Sequence, residues 1–422
     1  MISRTTTVRR AAVALTAAAL VGGLTACANN SSTAGSGGGS AAAGGTYTFW
    51  DPYPQFDQSS DWVKLIDSCG TSAGVTIKRT GYDTSDLTNK ALLAGQQGDS
   101  PDVLLVDNPV VSTLASAGIL TDTSTNGLDT SDIQKNIIAA GVVDGKTYGL
   151  PIGANTLALY YNEDVIKKAG VDVSSIKDWD SLTAALKKVK ASGNNGITFS
   201  AIGTEEGSFQ FLPWFWGSGA NLTKLDSSAG VSALALWTGW LKSGYTTNSV
   251  IQNTQTTAWQ DFETGKYGFV ENGTWQLANA AKEKFKVGVI NIPAKAGGSA
   301  PAPTGGEFLT LPVQKDTARY TTTKKIVDCL TNTASLVKTD NTLSYVAPTS
   351  AAQQEQVKEN SALEPWVSAV AAAKGRTSDN LGTKYPKISE QLWGAVQKAL
   401  SGSQSPSAAM QAAQAAAANA TK

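Results

Sequence analysis

The segment 148–165, YGLPIGANTLALYYNEDV, constrains the fold more than any other part of the sequence. Pro151 restricts the residue before it to extended or turn backbone, and Gly153 with Ala154 makes a poor interior for a regular element. An apolar run of strand length follows at residues 157–161, and Asn162 then offers a helix N-cap. This order predicts a crossing between two lobes, although an ordinary loop inside one domain fits the same pattern.

The length and the hydrophobic pattern favour two α/β domains. A chain of 422 residues with 41% hydrophobic residues exceeds what one core comfortably holds. Residues 101–106, PDVLLV, are apolar without alternation, which is typical of a strand that is covered on both faces. Strand-like and helical segments alternate along the body, and this alternation predicts α/β architecture.

The composition excludes several classes of function. The formal net charge is zero, so nothing favours nucleic acid as a partner. Histidine is absent, which removes Ser–His and Cys–His nucleophile pairs and His-ligated zinc. Beyond the first ten residues only Arg79, Arg319 and Arg376 remain as arginines. Because arginine is the preferred clamp for carboxylate and phosphate groups, we expect a neutral ligand. We also expect no metal and no cofactor.

The amino terminus has the features of an export signal. Arg4, Arg9 and Arg10 precede an apolar run at residues 11–24, which is too short for a bilayer span of about 20 apolar residues. The sequence Leu-Thr-Ala-Cys at 24–27 resembles the bacterial lipobox, in which the cysteine becomes the lipid-bearing terminus. We therefore expect residues 1–26 to be a signal peptide and Cys27 to anchor the chain at the extracytoplasmic face of the membrane. A plain secreted protein is the alternative.

A linker follows the signal sequence, and two further cysteines lie in the body of the chain. Residues 27–45 are rich in Gly, Ser and Ala, which is typical of a flexible tether. Cys69 and Cys329 are the remaining cysteines, and in an exported protein they favour a disulfide over two separate buried thiols. A bond between them would place both residues in one lobe.

Short motifs in a fixed order carry a resemblance to a known family. They are Phe49-Trp50-Asp51, Pro101-Asp102-Val103, Tyr148-Gly149-Leu150-Pro151, Leu159-Tyr160-Tyr161-Asn162, Asp178-Trp179-Asp180, Phe262-Glu263-Thr264-Gly265-Lys266, Asn272-Gly273-Thr274-Trp275, Gly305-Gly306 and the segment 385–400. Together they resemble the extracellular solute-binding proteins of family 1, the maltodextrin- and sugar-binding receptors of ABC importers. Each motif alone is weak, and their order covers essentially the whole mature chain.

The resemblance implies a fold, a function and partners. The implied fold is a two-lobed, periplasmic-binding-protein-like (type II) α/β fold with a ligand cleft between the lobes and a multi-strand hinge. We expect residues 46–153 plus 309–360 to form the first lobe and residues 154–308 plus 361–422 the second. The implied protein is a monomer, without enzymatic activity, that captures a mono- to oligosaccharide and delivers it to membrane-spanning permease subunits.

A sugar requires flat aromatic platforms and polar groups that bind hydroxyls, so residues of those kinds at strand ends are the candidates. The expected ligand contacts are Trp50, Asp51, Asn108, Asn155, Glu206, Trp214, Asn272, Trp275, Gly306, Glu307, Tyr385 and Trp393. The pattern does not distinguish Glu205 from Glu206 or Trp214 from Trp216. Asp107 is expected to cap the helix that follows it, which makes Asn108 the better candidate.

Other interpretations of the sequence stay open. A lipid-anchored glycoside hydrolase would need two carboxylates, which Glu206, Glu271 and Glu307 are able to supply. A receptor for a non-sugar solute and a structural surface lipoprotein are further alternatives. We also expect residues 203–208 to form a polar loop and the Ala-rich tail from Ser407 to form a helix with little to pack against.

Overall fold

The computed structural model describes residues 44–422, and their strands and helices alternate as expected for an α/β protein. The strands are β1 Thr46–Asp51, β2 Thr76–Gly81, β3 Val103–Asp107, β4 Val142–Val143, β5 Lys146–Thr147, β6 Leu150–Pro151, β7 Leu157–Asn162, β8 Asn195–Thr198, β9 Tyr267–Gly273, β10 Val287–Ile290, β11 Pro303–Thr304, β12 Glu307–Thr310 and β13 Lys374–Gly375. The helices are α1 Asp61–Ser72, α2 Thr84–Gln97, α3 Asn108–Ser116, α4 Lys135–Ile138, α5 Glu163–Lys168, α6 Trp179–Ala191, α7 Glu205–Gly217, α8 Ser228–Lys242, α9 Gln255–Glu263, α10 Leu277–Ala280, α11 Tyr320–Thr331, α12 Thr333–Leu343, α13 Ser350–Glu359, α14 Glu364–Ala371, α15 Lys384–Leu400 and α16 Pro406–Ala420.

Two larger sheets organise these elements, and we name the lobes after them. The first lobe surrounds a five-stranded sheet with the order β2-β1-β3-β12-β6, and the second surrounds a four-stranded sheet with the order β10-β7-β9-β8. Strands β1, β2 and β3 are parallel, whereas β12 runs antiparallel to both of its neighbours. Strand β12 therefore enters the first sheet from the opposite end and lies between strands that are distant from it in sequence.

Local sequence patterns account for several elements. Val103, Leu104, Leu105 and Val106 of β3 are all buried, as expected for a strand covered on both faces. The side chain of Asn162 caps α5 by accepting hydrogen bonds from two backbone N–H groups at 3.0 and 3.2 Å. These two features explain why β3 is central in its sheet and why the chain turns into a helix after β7.

The predicted crossing lies between β6 and β7, because β6 belongs to the first sheet and β7 to the second. Within it, Ala154 pairs with Val346 and Asn155 pairs with Gly305 in isolated antiparallel bridges. Three chain segments thus run side by side where the lobes meet. A further prediction placed the second crossing at Gly305-Gly306, and β12 begins at the next residue.

The carboxyl-terminal tail differs from its prediction. Helix α16 packs against α15 and α8, and it buries Ala409, Met410, Ala413 and Ala417 in the core of the second lobe. The expectation that this helix has little to pack against was wrong. Small alanines at helical spacing permit a close approach to a neighbouring helix, although they give a weak hydrophobic signal in the sequence.

The aromatic segment after residue 203 also differs from its prediction. Helix α7 begins at Glu205, so only the first part of the segment 203–208 is a loop. Thr204 occupies the N-cap position, and Glu205 and Glu206 lie in the first turn, where acidic side chains are favourable. The two glutamates therefore have fixed positions on a helix of the second lobe.

Cys69 of α1 and Cys329 of α11 form a disulfide with a Cα–Cα distance of 5.6 Å. Both helices pack in the first lobe, where Cys69 is fully buried. Cys27 lies outside the described residues. Among residues 44–422 no helix is both long enough and apolar enough to cross a membrane.

Candidate functional site

Arg376 lies between the two lobes and contacts both. Its Nη2 donates a hydrogen bond of 2.7 Å to Asp107, at the end of β3, and its Nη1 donates one of 2.9 Å to Glu205, at the start of α7. Nη2 also lies 3.4 Å from Oδ1 of Asn108. The Arg376 side chain is 3% exposed, compared with 22% for Asp107 and 37% for Glu205. One buried cation thus joins two partly exposed carboxylates.

Helix α15 holds Glu205 in place. The hydroxyls of Tyr385 and Ser389 donate to the two carboxylate oxygens of Glu205, one to each. Tyr385 and Ser389 lie four residues apart, on the same face of α15. Burial, followed by the charge of Glu205, raises the pKa of Tyr385, so this hydroxyl stays protonated and donates at neutral pH.

Aromatic rings cover the second-lobe side of Arg376. The guanidinium carbon lies 5.0 Å from the ring centroid of Phe209, within the range of a cation–π contact. The ring of Trp275 lies 6.3 Å from that of Phe209 and is half-buried. The strand that precedes Trp275 approaches its ring closely at Gly273, where a side chain would overlap the indole. Trp275 is therefore positioned as an aromatic surface beside the polar cluster.

Glu307 forms the first-lobe side of the site with two tyrosines. The hydroxyl of Tyr53 donates to Oε2 of Glu307 at 2.7 Å, and that of Tyr345 donates to Oε1 at 3.4 Å. Burial and the negative charge of Asp107 raise the pKa of Glu307 to about 7, although both tyrosines and Arg376 oppose the shift. Glu307 therefore exchanges its proton near neutral pH.

A second buried carboxyl group lies behind the crossing. Asp340 is fully buried, and neither of its carboxylate oxygens has a hydrogen-bond partner among the described residues. Burial, together with the charge of Glu307, raises the pKa of Asp340 well above its ordinary value. Its Oδ1 lies against Gly153, in the crossing between β6 and β7. The crossing thus has a buried acid on its inner side.

The structure brings several predicted residues together at the lobe boundary. Asn108 donates to the carbonyl of Thr304 at 2.9 Å, and Asn155 pairs with Gly305 through two backbone hydrogen bonds of 3.2 and 2.9 Å. Gly306 has a φ of +112°, a conformation that favours glycine, and its carbonyl accepts from the backbone of Asn108. Asn108 and Tyr385 reach the cluster directly, through Arg376 and Glu205, whereas Asn155 and Gly306 lie at the paired crossing beside it.

Three predicted ligand contacts have structural roles instead. Asp51 is fully buried and binds the guanidinium of Arg79 and the indole N–H of Trp62. Asn272 is also fully buried, and its amide donates to the carbonyl of Gln255 at 2.9 Å. For both residues the polar atoms are engaged inside one lobe. The assumption that a polar residue near a strand end faces the cleft was therefore wrong here.

Trp214 is the third predicted ligand contact that has a structural role. Its ring is fully buried in the core of the second lobe, and its Nε1 donates to Glu271 at 2.7 Å. Trp216 is also buried in that core, so neither member of the pair is a surface platform. Glu271 lies within β9 and is fully buried, and burial raises its pKa although the bond from Trp214 opposes the shift. It has no access to a substrate in the cleft.

Three further predicted residues take no part in the hydrogen bonds around Arg376. Glu206 accepts a hydrogen bond of 2.9 Å from the backbone N–H of Gln255. Trp50 is half-buried and makes an edge contact with Tyr82 at 5.3 Å. Trp393 lies four residues after Ser389 on α15 and is half-buried outside the core of the second lobe. Its exposed part continues the face of α15 that holds Glu205.

The centre of the site differs from the sequence prediction. Asp107 was assigned to capping, but its side chain makes no capping bond and pairs with Arg376. Arg376, which the sequence pattern does not assign to the site, is its central cation, and Glu205 rather than Glu206 is its partner. The available signal for Arg376 was its rarity in a chain that is poor in charge. An arginine that is buried almost always has a carboxylate partner, but the sequence does not show the burial.

A surface cavity elsewhere in the structure is a weaker candidate for a sugar site than the cluster around Arg376. A cavity of about 610 Å³ lies on the first lobe beside Leu150, Pro151 and the start of α12, and its lining contains no aromatic ring. None of the predicted ligand contacts lines it. Among residues 44–422, no group of three or more His, Cys, Asp or Glu side chains is arranged to hold a metal ion.

Comparisons with known proteins agree with this architecture. Residues 64–365 match the family described as bacterial extracellular solute-binding protein. The chain is 27% identical over 249 residues, 56% of each chain, to a maltooligosaccharide ABC transporter solute-binding lipoprotein of Streptococcus pneumoniae. It spans about half the length of the curated relatives it matches.

Two solved structures share the fold. Maltose-bound MalE3 of Thermotoga maritima has a TM-score of 0.75 at 19% identity, covering 89% of this chain and 99% of that one. UgpB of Mycobacterium tuberculosis in complex with glycerophosphocholine has a TM-score of 0.76 at 19% identity, covering 89% and 98%. These are two-lobed binding proteins of the same architecture, with different ligands. With two sheets linked by segments that pair where the lobes meet, and a family match over most of its length, the chain belongs to the bacterial extracellular solute-binding proteins.

Proposed function

We propose that this protein is the substrate-binding component of an ABC importer, and that it captures a neutral carbohydrate between its lobes. The observation that carries the proposal is the constellation around Arg376. It combines one half-buried aromatic ring, Trp275, with two partly exposed carboxylates, Asp107 and Glu205. Flat rings suit the apolar faces of a sugar, and carboxylates accept hydrogen bonds from its hydroxyls.

The arginine pairing supports a neutral ligand. Arg79 pairs with Asp51, Arg319 with Asp102, and Arg376 with Asp107 and Glu205. Each arginine in residues 44–422 is therefore already neutralised by carboxylates, and none is free to bind an anionic ligand. Because a cleft with more carboxylates than cations repels anions, a polyol is a better ligand than a sugar phosphate or a carboxylate.

The ligand contacts in this proposal lie on both lobes. We assign Asp107, Asn108, Asn155, Gly306 and Glu307, with Trp50 nearby, to the first-lobe side and the crossings; Glu205, Glu206, Trp275, Tyr385 and Trp393 complete the second-lobe side. Binding to both sides at once favours the state in which the lobes are in contact, so ligand shifts the population toward it. The flexing segments are the paired crossings at Ala154–Val346 and Asn155–Gly305.

The lobe boundaries are part of the same proposal. We assign residues 46–153 and the return from β12 to about residue 360 to the first lobe, and the rest of the described chain to the second. Strand β12 supports starting the return at Glu307, two residues before the boundary that the sequence suggested. The chain crosses between lobes often enough that neither lobe is a continuous segment.

Anchoring and delivery extend the proposal to the membrane. We propose that residues 1–26 are removed, that Cys27 carries lipid, and that residues 27–45 tether a monomeric receptor to the outer face of the cytoplasmic membrane. The leader sequence supports this, as does the relative in Streptococcus pneumoniae that is named a lipoprotein. The permease subunits of the importer are the expected protein partner.

Calorimetry against a panel of mono- and oligosaccharides tests the proposed ligand. We expect saturable binding to at least one neutral sugar and no binding to its phosphorylated form. Silence with every sugar, together with binding of an amino acid or a peptide, would overturn the proposal. Incubation with oligosaccharides separates a receptor from a glycoside hydrolase, because a hydrolase releases new reducing ends and a receptor returns its ligand intact.

A further inference from the structure

Arg376 has contacts that no other arginine of the described chain has, because its two carboxylate partners belong to different lobes. Asp107 ends β3 of the first sheet, whereas Glu205 begins α7, which packs in the core of the second lobe. The two bonds measure 2.7 and 2.9 Å, which is typical of charge-assisted hydrogen bonds. Separation of the lobes therefore breaks at least one of them.

The contacts indicate which bond breaks. Glu205 is fixed by Tyr385 and Ser389 of α15, and Phe209 of α7 lies beneath the guanidinium. All of these partners belong to elements that pack around the second sheet. Arg376 is therefore held by the second lobe, and its bond to Asp107, with the weaker contact to Asn108 at 3.4 Å, crosses between lobes.

Asp107 is suited to this contact. It occupies the N-cap position of α3, yet its side chain makes no capping bond. Burial alone would lower the pKa of Arg376, but the charges of Asp107 and Glu205 raise it, so the cation persists at every physiological pH. A carboxylate released from Arg376 would be exposed to water, while the guanidinium would keep Glu205 as its counterion.

We infer that Arg376 is a positioning residue for lobe closure: it binds Asp107 across the cleft when the lobes meet, and it orients the carboxylates of Asp107 and Glu205 toward the ligand. This inference rests on the proposed function in that closure captures the ligand. It adds that part of the closing free energy comes from the protein itself. The apparent affinity for ligand then depends on how often the ligand-free lobes are in contact.

The protein provides a matched control. Arg319 makes a bidentate ion pair with Asp102, and both residues lie in the first lobe. Arg319→Gln therefore removes a partly buried guanidinium and leaves a carboxylate unpaired, as Arg376→Gln does, without affecting a contact between lobes. A general loss of stability should appear in both variants, whereas a change in lobe separation should appear only in Arg376→Gln.

Spin labels at Leu93→Cys on α2 and Lys188→Cys on α6 report the separation of the lobes, since both sites are exposed. In the ligand-free protein we expect Arg376→Gln to shift the distance distribution toward longer values, and Arg319→Gln to leave it unchanged. Sugar affinity should fall about 10- to 100-fold in Arg376→Gln, the effect of losing a charge-assisted hydrogen bond. Lysine keeps the charge but does not reproduce the forked contact. The sugar affinity of Arg376→Lys should therefore lie between that of the wild type and that of Arg376→Gln.

Asp107→Asn tests the same bond from the other side and keeps Arg376 paired with Glu205. It should open the ligand-free lobes to the same extent, and adding Arg376→Gln should give no further opening. Distance distributions of Arg376→Gln and Asp107→Asn that match the wild type would overturn the inference. If no sugar binds the wild type, the proposed ligand is wrong, but the ligand-free distances still decide the role of Arg376.

Discussion

The carboxyl group of Asp340 lies directly against Gly153, so a Cβ atom on Gly153 would overlap Oδ1 of Asp340. Gly153 lies in the crossing between β6 and β7, and Asp340 is a fully buried residue of α12. The glycine is thus required for space at a point where the chain passes between lobes. A neighbouring side chain, rather than an unusual φ, imposes the requirement.

Gly153→Ala should lower the free energy of unfolding by about 1–3 kcal/mol, because the added methyl group displaces a buried carboxyl group. Asp340→Ala in the same chain should recover part of the loss, which a double-mutant cycle measures by urea denaturation. Gly239→Ala in α8 is the control, since a Cβ there meets nothing within 4 Å. Equal stability of Gly153→Ala and the wild type would show that the crossing adjusts freely.

Stability should depend on pH through Glu307. Its pKa is about 7 in the folded protein and 4.5 as the ordinary value, so the folded chain binds more protons than the unfolded chain between these limits. The free energy of unfolding must then fall as the pH rises through that window, by up to about 3 kcal/mol for one group. Glu307→Gln should remove this fall.

Denaturation of both proteins from pH 4.5, the ordinary value for Glu307, to about pH 8 tests this dependence. The charged and titratable groups that affect Glu307 are Tyr53, Tyr345, Asp107, Arg376 and Asp340. Asp340 has a raised pKa and contributes a fall of the same sign, so Glu307→Gln should flatten the profile without making it level. Parallel profiles for the two proteins would refute a titrating Glu307.

Trp275 and Trp214 should respond differently to substitution. Trp275→Ala should weaken sugar binding about tenfold or more, since it removes a half-buried aromatic surface, with a smaller effect on stability. Trp214→Ala should cost about 3–5 kcal/mol of stability, because its ring is fully buried and its N–H pairs with Glu271. Calorimetry and thermal denaturation of both variants separate the roles, and a reversed outcome would return Trp214 to the list of ligand contacts.

The disulfide between Cys69 and Cys329 should stabilise the first lobe. The bond closes a loop across a sequence separation of 260 residues, so its loss should cost about 2–5 kcal/mol by relaxing the unfolded chain. Cys69→Ser, Cys329→Ser and chemical reduction of the wild type should give the same midpoint of urea denaturation. An unchanged midpoint after verified reduction would contradict the prediction.

Local pattern was enough to predict much of the fold. The restricted turn at Pro151, the apolar run of β7 and the cap at Asn162 are readable from the sequence because each acts over a few residues, although together they fit an ordinary loop as well as a crossing. The burial of β3 follows from its unbroken apolar sequence for the same reason. Helix α16 was misjudged because its small buried alanines obtain their free energy from neighbours that are distant in the sequence.

The site was harder to predict, for a related reason. Whether Asp51 faces a ligand or Arg79 depends on a partner 28 residues away, and whether Asp107 caps a helix or binds Arg376 depends on one 269 residues away. When a side chain has two chemically suitable partners, the tertiary structure decides which one it binds. The local sequence around that side chain does not contain this information. The position of Trp275 after a strand end is local and could be predicted, whereas its contact with a ligand stays a prediction that rests on the family resemblance.

The position of β12 has a consequence for the order in which the chain folds. This strand lies between β3 and β6, so the first sheet lacks an inner strand until residue 310 has been synthesised. The first 150 residues therefore have no complete sheet to fold into while they emerge from the ribosome, and pairing over such sequence distances is intrinsically slow. The topology of the first sheet therefore delays its completion until the segment that contains β12 is available.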